Sequence, residues 1–107
     1  NLITDGIIVT CGSNEKYYSK VITSKAADTM LSMAGIEASF VVTRTTETQI
    51  SISARSRSKI NVQRIMETLG GGGHFNLAAC QFENENIESV ERMLIQAILD
   101  DLKEEQE

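Results

Sequence analysis

Two short segments of this chain contain the residue types best suited to bind an anion. The first is a run of four glycines, Gly70 to Gly73, followed by His74, the only histidine in the sequence. Glycine lets a backbone approach a ligand closely, and successive N–H groups can form a concave nest around an anionic oxygen. Histidine adds a donor whose charge changes near neutral pH. An alternative stays open, in which the glycines are a flexible connector and His74 begins the next element.

The second segment is residues 49–56, in which apolar and polar residues alternate. This period of two predicts a strand whose isoleucines face a core while Ser51, Ser53 and Arg55 form the opposite, polar face. A guanidinium matches phosphate oxygens with a planar fork, and serine hydroxyls add donors beside it. The alternative is the solvated outer face of a hairpin, which is common in antiparallel sheets.

One helix separates the two segments. Asn61 suits an N-cap, and the apolar residues of 62–69 fall at the i, i+3, i+4 and i+7 positions of an amphipathic helix. A strand, a helix and a further strand at 78–82 form a crossover whose ends lie at neighbouring edges, which brings both segments together. The sequence therefore predicts a phosphate-binding site formed by Ser53, Arg55, Ser56, Gly71, Gly72, Gly73 and His74.

The remaining elements follow from periodicity. Residues 7–11 are apolar and β-branched and predict a buried strand, residues 36–42 alternate as a half-buried strand, and Asn86 caps a long C-terminal helix. A helix at about 20–34 is predicted to pack its apolar residues on the core. That face comprises Val21, Ile22, Ala26, Met30 and Met33, with the methionines as core filler. The predicted fold is α/β, a mixed β-sheet with helices packed on it in the order β-α-β-β-α-β-α, with two right-handed crossovers around a hairpin.

Composition limits the class of protein. The 107 residues fit one soluble domain, and no apolar run approaches a membrane span. Cys11 and Cys80 are too isolated for a zinc site and predict buried thiols in a reducing, cytosolic compartment. The net charge of −5 includes five basic residues against one acidic residue within 44–64, so the sequence predicts an acidic domain with one basic patch. Such a domain suits one or two phosphates better than a long polyanion.

The segment Ser53-Ala54-Arg55-Ser56, followed by Gly71-Gly72-Gly73-His74 and Ala78-Ala79, resembles the DHH-associated domain of DHH-superfamily phosphoesterases. The resemblance covers essentially residues 1–107 as a single domain and implies a C-terminal fragment of a longer protein, consistent with a first residue other than Met. The three residues between His74 and Ala78, with Cys80 after the alanines, look like the cyclic-di-AMP phosphodiesterases that carry membrane, PAS and degenerate GGDEF regions.

The resemblance implies a function divided between two domains. It implies a substrate-recognition domain of a manganese-dependent phosphodiesterase that hydrolyses cyclic-di-AMP to linear pApA. The Mn²⁺ would lie in a missing DHH domain of the same chain, so this fragment would hold no cofactor and be inactive alone. Arg55 and His74 would contact a cyclic dinucleotide or short nucleotide phosphate, with Ser53, Ser56 and Gly71 to Gly73 shaping the site.

The resemblance also implies surroundings and partners. The fragment would be a cytoplasmic domain without direct membrane contact, in a protein anchored in the cell membrane, with a homodimer as a further expectation. Two alternatives stay open. One is a nano-RNase, a phosphoadenosine-phosphate phosphatase or an exonuclease of the same superfamily. The other is a nucleic-acid-binding module, since similar domains end alanyl-tRNA synthetases.

Overall fold

The computed structural model describes residues 2–4 and 6–105 and shows a six-stranded mixed sheet with helices on both faces. The order of strands across the sheet is β1-β2-β3-β4-β6-β5. The predicted fold class is therefore confirmed. The elements are β1 (Leu2–Thr4), β2 (Ile7–Cys11), α1 (Lys20–Leu31), β3 (Ala38–Arg44), β4 (Gln49–Ser56), α2 (Val62–Thr68), β5 (Gly72–His74), β6 (Leu77–Glu83) and α3 (Ile87–Glu105).

All seven predicted elements are present, and two three-residue strands were missed. β1 pairs with β2, and β5 pairs with β6. Neither is long enough to show a period in the sequence. The predicted N-cap of α2 is confirmed, because the side chain of Asn61 accepts a hydrogen bond from the Arg64 N–H at 3.1 Å. Helix α1 ends at Leu31 rather than near residue 34.

The strand directions confirm one predicted crossover and correct the other. β2 and β3 are parallel and joined through α1, as predicted. β4 and β6 are antiparallel, so the second crossover between parallel strands was wrong. The reason is the hairpin of β5 and β6, which reverses the chain after α2 before it pairs with β4.

The hydrophobic core lies on the sheet face that α2 and α3 cover. Phe40, Ile52 and Leu94 are fully buried there, and Ile65 and Met66 of α2 close the same cluster. Burial of such side chains stabilises the fold by roughly 1.5–3 kcal/mol each. The apolar side of β4 predicted from its alternation, namely Ile50, Ile52 and Ala54, is confirmed as part of this core.

The opposite sheet face packs on α1 through small polar side chains. The Ser39 hydroxyl donates to the Ala27 carbonyl at 2.7 Å, and the hydroxyls of Thr23 and Thr43 share a 2.6 Å hydrogen bond. The predicted apolar core face of α1 is therefore wrong: the buried residues are Thr23 and Ala27, which lie outside it. Ala26 and Met30 of the predicted face are half-buried, and its remaining members are exposed. The side chains left exposed are Val21 (62%), Ile22 (54%) and Met33 (44%). Small residues of α1 pack closely on the polar surface of the sheet. The spacing of apolar residues in the helix does not predict this packing.

Candidate functional site

Helix α1 covers β3 and β4 but leaves the outer strands of the same sheet face uncovered. Along β6, Leu77, Ala79, Gln81 and Glu83 alternate outward and are all exposed, while Ala78 and Cys80 point into the core. We call the surface formed by Leu77, Ala79, Gln81, Glu83 and His74 the open face. It adjoins the polar side of β4, where the sequence placed half of the predicted site.

Arg55 is buried at the border between α1 and the open face. Its side chain is 10% exposed, its Nε donates to the Asp28 Oδ1 of α1 at 2.8 Å, and its Nη1 donates to the Ala54 carbonyl at 2.9 Å. Nη2 has no hydrogen-bond partner within residues 2–4 and 6–105, yet it is not among the fully buried polar atoms. Arginine has five N–H donors, so three remain after these two bonds. These three N–H groups of Arg55 can donate hydrogen bonds to an anion bound at the protein surface.

The register places Arg55 and His74 in one row. Arg55 is opposite Leu77 across β4 and β6, and Leu77 is opposite His74 across β6 and β5. Residues in register across antiparallel strands point to the same face, and neighbouring strands are about 4.7–4.9 Å apart, which separates the backbones of Arg55 and His74 by about 9–10 Å. His74 is exposed. The row is a guanidinium, an apolar side chain and an imidazole, in that order.

The two predicted serines are buried and bonded within the protein. Ser53 shares a 3.1 Å hydrogen bond with the Ser24 hydroxyl of α1, and the Ser56 hydroxyl donates to the Phe75 carbonyl at 3.1 Å. Asn76 also donates its side-chain N–H to the Ser56 carbonyl at 3.1 Å. Ser56 thereby ties the end of β4 to the β5–β6 hairpin. These contacts show that both serines support the row, and a direct ligand contact by either one stays a prediction.

The glycine run is structured, and its connector interpretation is wrong. The Gly71 N–H donates to the Met66 carbonyl at 2.8 Å and so ends α2, while Gly72 and Gly73 pair with β6 as part of β5. A nest needs successive N–H groups that converge on one point, and residues 72–74 are extended instead. The predicted nest is therefore absent from this segment as the structure describes it. The proximity of the glycines to the other predicted site residues is confirmed through β6.

Gly71, Gly72 and Gly73 differ in whether the fold requires a glycine at that position. A Cβ on Gly71 would lie 2.8 Å from the Cys80 Cα, and a Cβ on Gly73 would lie 2.5 Å from the Ala78 Cα, so both positions need glycine for close packing on β6. A Cβ on Gly72 would meet nothing within 4 Å, and its φ lies outside the left-handed region. The fold therefore accounts for Gly71 and Gly73 but not for Gly72, which faces the open face opposite Ala79.

Two cavities border α1 and the glycines. One of about 280 Å³ is lined by Gly70, Gly71 and the Ala79–Gln81 segment of β6, beside the predicted site. The other, of about 220 Å³, lies between α1 and the ends of β2 and β3, and its lining mixes apolar residues such as Ile22 and Met30 with Thr10, Cys11 and Thr43. Burial, with Glu91 nearby, raises the pKa of the Cys11 thiol to about 12. Burial also raises the pKa of Cys80. Both cysteines are free thiols, as predicted, although Cys11 is only half-buried.

The predicted basic patch is not one surface. Arg44 is buried and donates to the carbonyls of Glu47 and Glu85 at 2.8 and 3.1 Å. Arg64 is paired with the carboxylates of Asp101 and Glu105 on α3, and Arg55 with Asp28. Exposed cations of this stretch that lack a carboxylate partner in the described residues are Arg57 and Lys59. Such a surface does not favour a nucleic-acid-binding module.

The described part of the chain does not fit a metal centre. Residues 2–4 and 6–105 contain no group of three or more His, Cys, Asp or Glu side chains placed to hold a metal ion. Among the helices in those ranges, none combines the length and the apolar character needed to cross a bilayer.

Two site residues were missed by sequence reasoning. Asp28 contacts Arg55 from a helix 27 positions earlier, and Leu77 separates Arg55 from His74. Asp28 has no local signal, because an exposed aspartate on a helix is common. Leu77 had a local signal, because it is an apolar residue at the start of β6 on the face opposite to that of the buried Ala78.

The comparisons with known proteins agree with this architecture. Residues 4–104 match the family described as the DHHA1 domain. The cyclic-di-AMP phosphodiesterase PdeA of Listeria monocytogenes serotype 1/2a (strain 10403S) is 50% identical over 94 residues, which are 88% of this chain and 14% of PdeA. The cyclic-di-AMP phosphodiesterase GdpP of Bacillus subtilis (strain 168) is 46% identical over 82 residues, which are 76% of this chain and 12% of that protein.

A solved structure repeats much of the fold. An exopolyphosphatase-related protein from Bacteroides fragilis superposes with a TM-score of 0.67 at 27% identity, over 78% of this chain and 24% of that one. This chain thus spans a small part of each relative, 14% in the case of PdeA. The predicted resemblance is confirmed, because the family match extends over residues 4–104. The chain belongs to the DHHA1 domain family.

Proposed function

We propose that this chain is the substrate-recognition domain of a phosphodiesterase that hydrolyses cyclic-di-AMP to linear pApA. The relatives with 50% and 46% identity carry the name cyclic-di-AMP phosphodiesterase and are much longer than this chain. The hydrolytic centre, with its manganese, belongs in this proposal to a DHH domain elsewhere in the same protein. The isolated 107-residue chain is accordingly expected to be inactive with Mn²⁺ present. Membrane anchoring, a cytoplasmic position and a homodimer stay predictions for the full-length protein.

The row of Arg55, Leu77 and His74 carries this proposal. Arg55 keeps three N–H donors for a phosphoryl oxygen, and the exposed imidazole of His74 supplies a second polar contact about 9–10 Å away along the row. Leu77 is 52% exposed between them and offers an apolar surface to a base or sugar. Two polar groups on either side of an apolar surface match a dinucleotide better than a single inorganic phosphate.

The experiment replaces Arg55 with alanine in the full-length protein and measures kcat/KM for cyclic-di-AMP. Loss of a charge-assisted phosphate contact costs roughly 1.5–3 kcal/mol, which is about a 10- to 150-fold fall in kcat/KM. Because Arg55 is buried and ion-paired, the variant also loses stability, so thermal unfolding is measured beside the kinetics.

Arg57→Ala is the matched control. It removes the same charge two residues further along the chain, and Arg57 likewise donates to backbone carbonyls, those of Ile36 and Leu31 at 2.9 and 2.6 Å. The proposal expects Arg57→Ala, which removes an exposed side chain, to destabilise less than Arg55→Ala, and it expects a large kinetic loss in Arg55→Ala alone. Equal kinetic losses in the two variants would reduce Arg55 to a structural residue.

A second candidate is a phosphodiesterase for linear dinucleotides. The solved pGpG-specific phosphodiesterase PggH from Vibrio cholerae superposes with a TM-score of 0.52 at 27% identity, over 63% of this chain and 25% of that one, and its name specifies a linear substrate. The row of donors has no feature that needs a closed ring. Turnover of cyclic-di-AMP and of pApA by the same preparation decides between the two, since the proposed function requires the cyclic substrate to have the higher kcat/KM.

A further inference from the structure

No pattern in the sequence associates Asp28 with a ligand. It lies on α1, its side chain is 62% exposed, and one carboxylate oxygen accepts the Arg55 Nε–H at 2.8 Å. The contact joins a helix to a strand across 27 positions of sequence. The most exposed member of the pair is therefore the carboxylate, and the buried member is the cation.

The bond to Asp28 limits the orientations that Arg55 can adopt. A guanidinium is planar, so two hydrogen bonds on different nitrogens fix its plane. Asp28 holds Nε, the Ala54 carbonyl holds Nη1 at 2.9 Å, and Nη2 then lies on the side that neither partner occupies. Without Asp28, a single bond to a carbonyl of the adjoining residue would remain, about which the long side chain can turn.

We propose that Asp28 is a positioning residue, which orients Arg55 so that its free N–H groups face an anionic phosphoryl ligand on the open face. This inference rests on the proposed function, because it requires that Arg55 contacts the substrate. The positioning role predicts the opposite effect on ligand binding from that predicted by electrostatic repulsion alone. A carboxylate near an anion-binding group repels the anion, so charge alone predicts tighter binding when Asp28 is removed, whereas positioning predicts weaker binding.

The test is a double-mutant cycle in the full-length protein with cyclic-di-AMP as the substrate. The four forms are wild type, Asp28→Ala, Arg55→Ala and the double variant, with KM, kcat and thermal unfolding measured for each. Asp28→Ala is expected to raise KM about five- to tenfold and to have no further effect in the Arg55→Ala background. Asp28→Glu is expected to restore part of the lost affinity, because it keeps the carboxylate.

A control separates position from net charge. Asp100→Ala removes an exposed carboxylate from α3, whose oxygen accepts from Gln96 at 2.8 Å, and is expected to leave KM unchanged. Should Asp28→Ala impair folding, Asp28→Leu takes its place in the cycle, because it keeps much of the side-chain volume but has no acceptor for the Arg55 Nε–H.

The outcomes are distinguishable. An unchanged KM or a lower KM in Asp28→Ala, or an equal increase in the presence and absence of Arg55, overturns the role of Asp28 while the proposed function stands. If Arg55→Ala itself has wild-type kinetics, the proposed function fails, and the positioning role fails with it.

Discussion

Replacing each glycine of the Gly71–Gly73 segment with alanine separates packing from ligand contact. Gly71 and Gly73 lie against the backbone of β6, where an added Cβ would be 2.8 Å from the Cys80 Cα and 2.5 Å from the Ala78 Cα. Relief of these contacts requires the short strand β5 to move away from β6. Such overpacking costs about 1–3 kcal/mol, so both variants are expected to be destabilised by that amount.

Gly72→Ala is expected to behave in the opposite way. Its added methyl group would meet no atom within 4 Å, and the backbone there needs no left-handed φ. Replacing such a glycine stabilises a protein by about 0.4–1 kcal/mol, because the unfolded chain loses conformational freedom. For a domain of this size, that raises Tm by about 2–8 °C. The same methyl group would stand on the open face opposite Ala79, where a ligand approaching the backbone would meet it.

The assay combines denaturant unfolding of each variant with kcat/KM for cyclic-di-AMP in the full-length protein. The expected result for Gly72→Ala is unchanged or higher stability with at least about a tenfold fall in kcat/KM, equivalent to about 1.4 kcal/mol. Wild-type kinetics in this stable variant would refute ligand contact at Gly72. A loss of stability at Gly72 equal to that at Gly73 would refute the packing argument itself.

Three further predictions concern single residues outside this segment. His74→Ala is expected to keep the unfolding free energy within about 0.5 kcal/mol, because His74 is exposed, and to lower kcat/KM while the manganese content stays at the wild-type level; loss of manganese would make His74 a metal ligand. Asn14→Ala is expected to cost about 1–3 kcal/mol in denaturant unfolding, against no change for Ser13→Ala, because the Asn14 amide bonds Arg44, Ile87 and Glu88 at 3.1, 2.9 and 2.8 Å. Cys11, whose pKa rises from 9.0 to about 12 on folding, is expected to react with iodoacetamide at pH 8 up to about a thousandfold more slowly in the folded than in the urea-unfolded chain, as followed by peptide mass spectrometry. Equal reactivity in the folded and unfolded chain would contradict the raised pKa. The same shift in pKa means that the neutral thiol stabilises the fold fully below pH 9 and that this contribution is lost as the pH rises toward 12.

Strands β2, β3, β4 and β6 and helices α2 and α3 could be predicted because the local pattern in them marks the residues that face the hydrophobic core. The alternation of residues 49–55 placed Ile50 and Ile52 in the core, and the spacing of Val62, Ile65 and Met66 placed α2 on them. Helix α1 shows the opposite case. Its apolar period suggested a core face, but the sheet surface beneath it is lined by Ser39, Thr43 and other hydroxyl groups, and small residues pack there instead. A tertiary surface of unusual polarity overrode the local period.

The glycine segment was misread for a related reason. Four glycines suggested freedom of the backbone, yet two of them are required by the close approach of β5 to β6. That approach depends on pairing with residues 77–79, which a local reading of residues 70–74 does not include. The hairpin also reverses the direction of β6, and the predicted crossover between parallel strands was therefore wrong. The expected proximity of Arg55 and His74 is nevertheless confirmed, because the strand register places both residues opposite Leu77.

The burial of Arg55 changes what its substitution can show. The alternation of β4 placed Arg55 on a polar face, with a solvated outer face as the alternative, whereas the structure covers Arg55 with α1 and pairs it with Asp28. A buried guanidinium that has lost its partner is costly, and so is a buried partner left without its cation. Here, however, Asp28 is 62% exposed, so water can solvate its carboxylate when Arg55 is removed. Destabilisation by Arg55→Ala therefore comes mainly from the lost packing under α1, and a kinetic effect larger than that of Arg57→Ala reports the ligand contact.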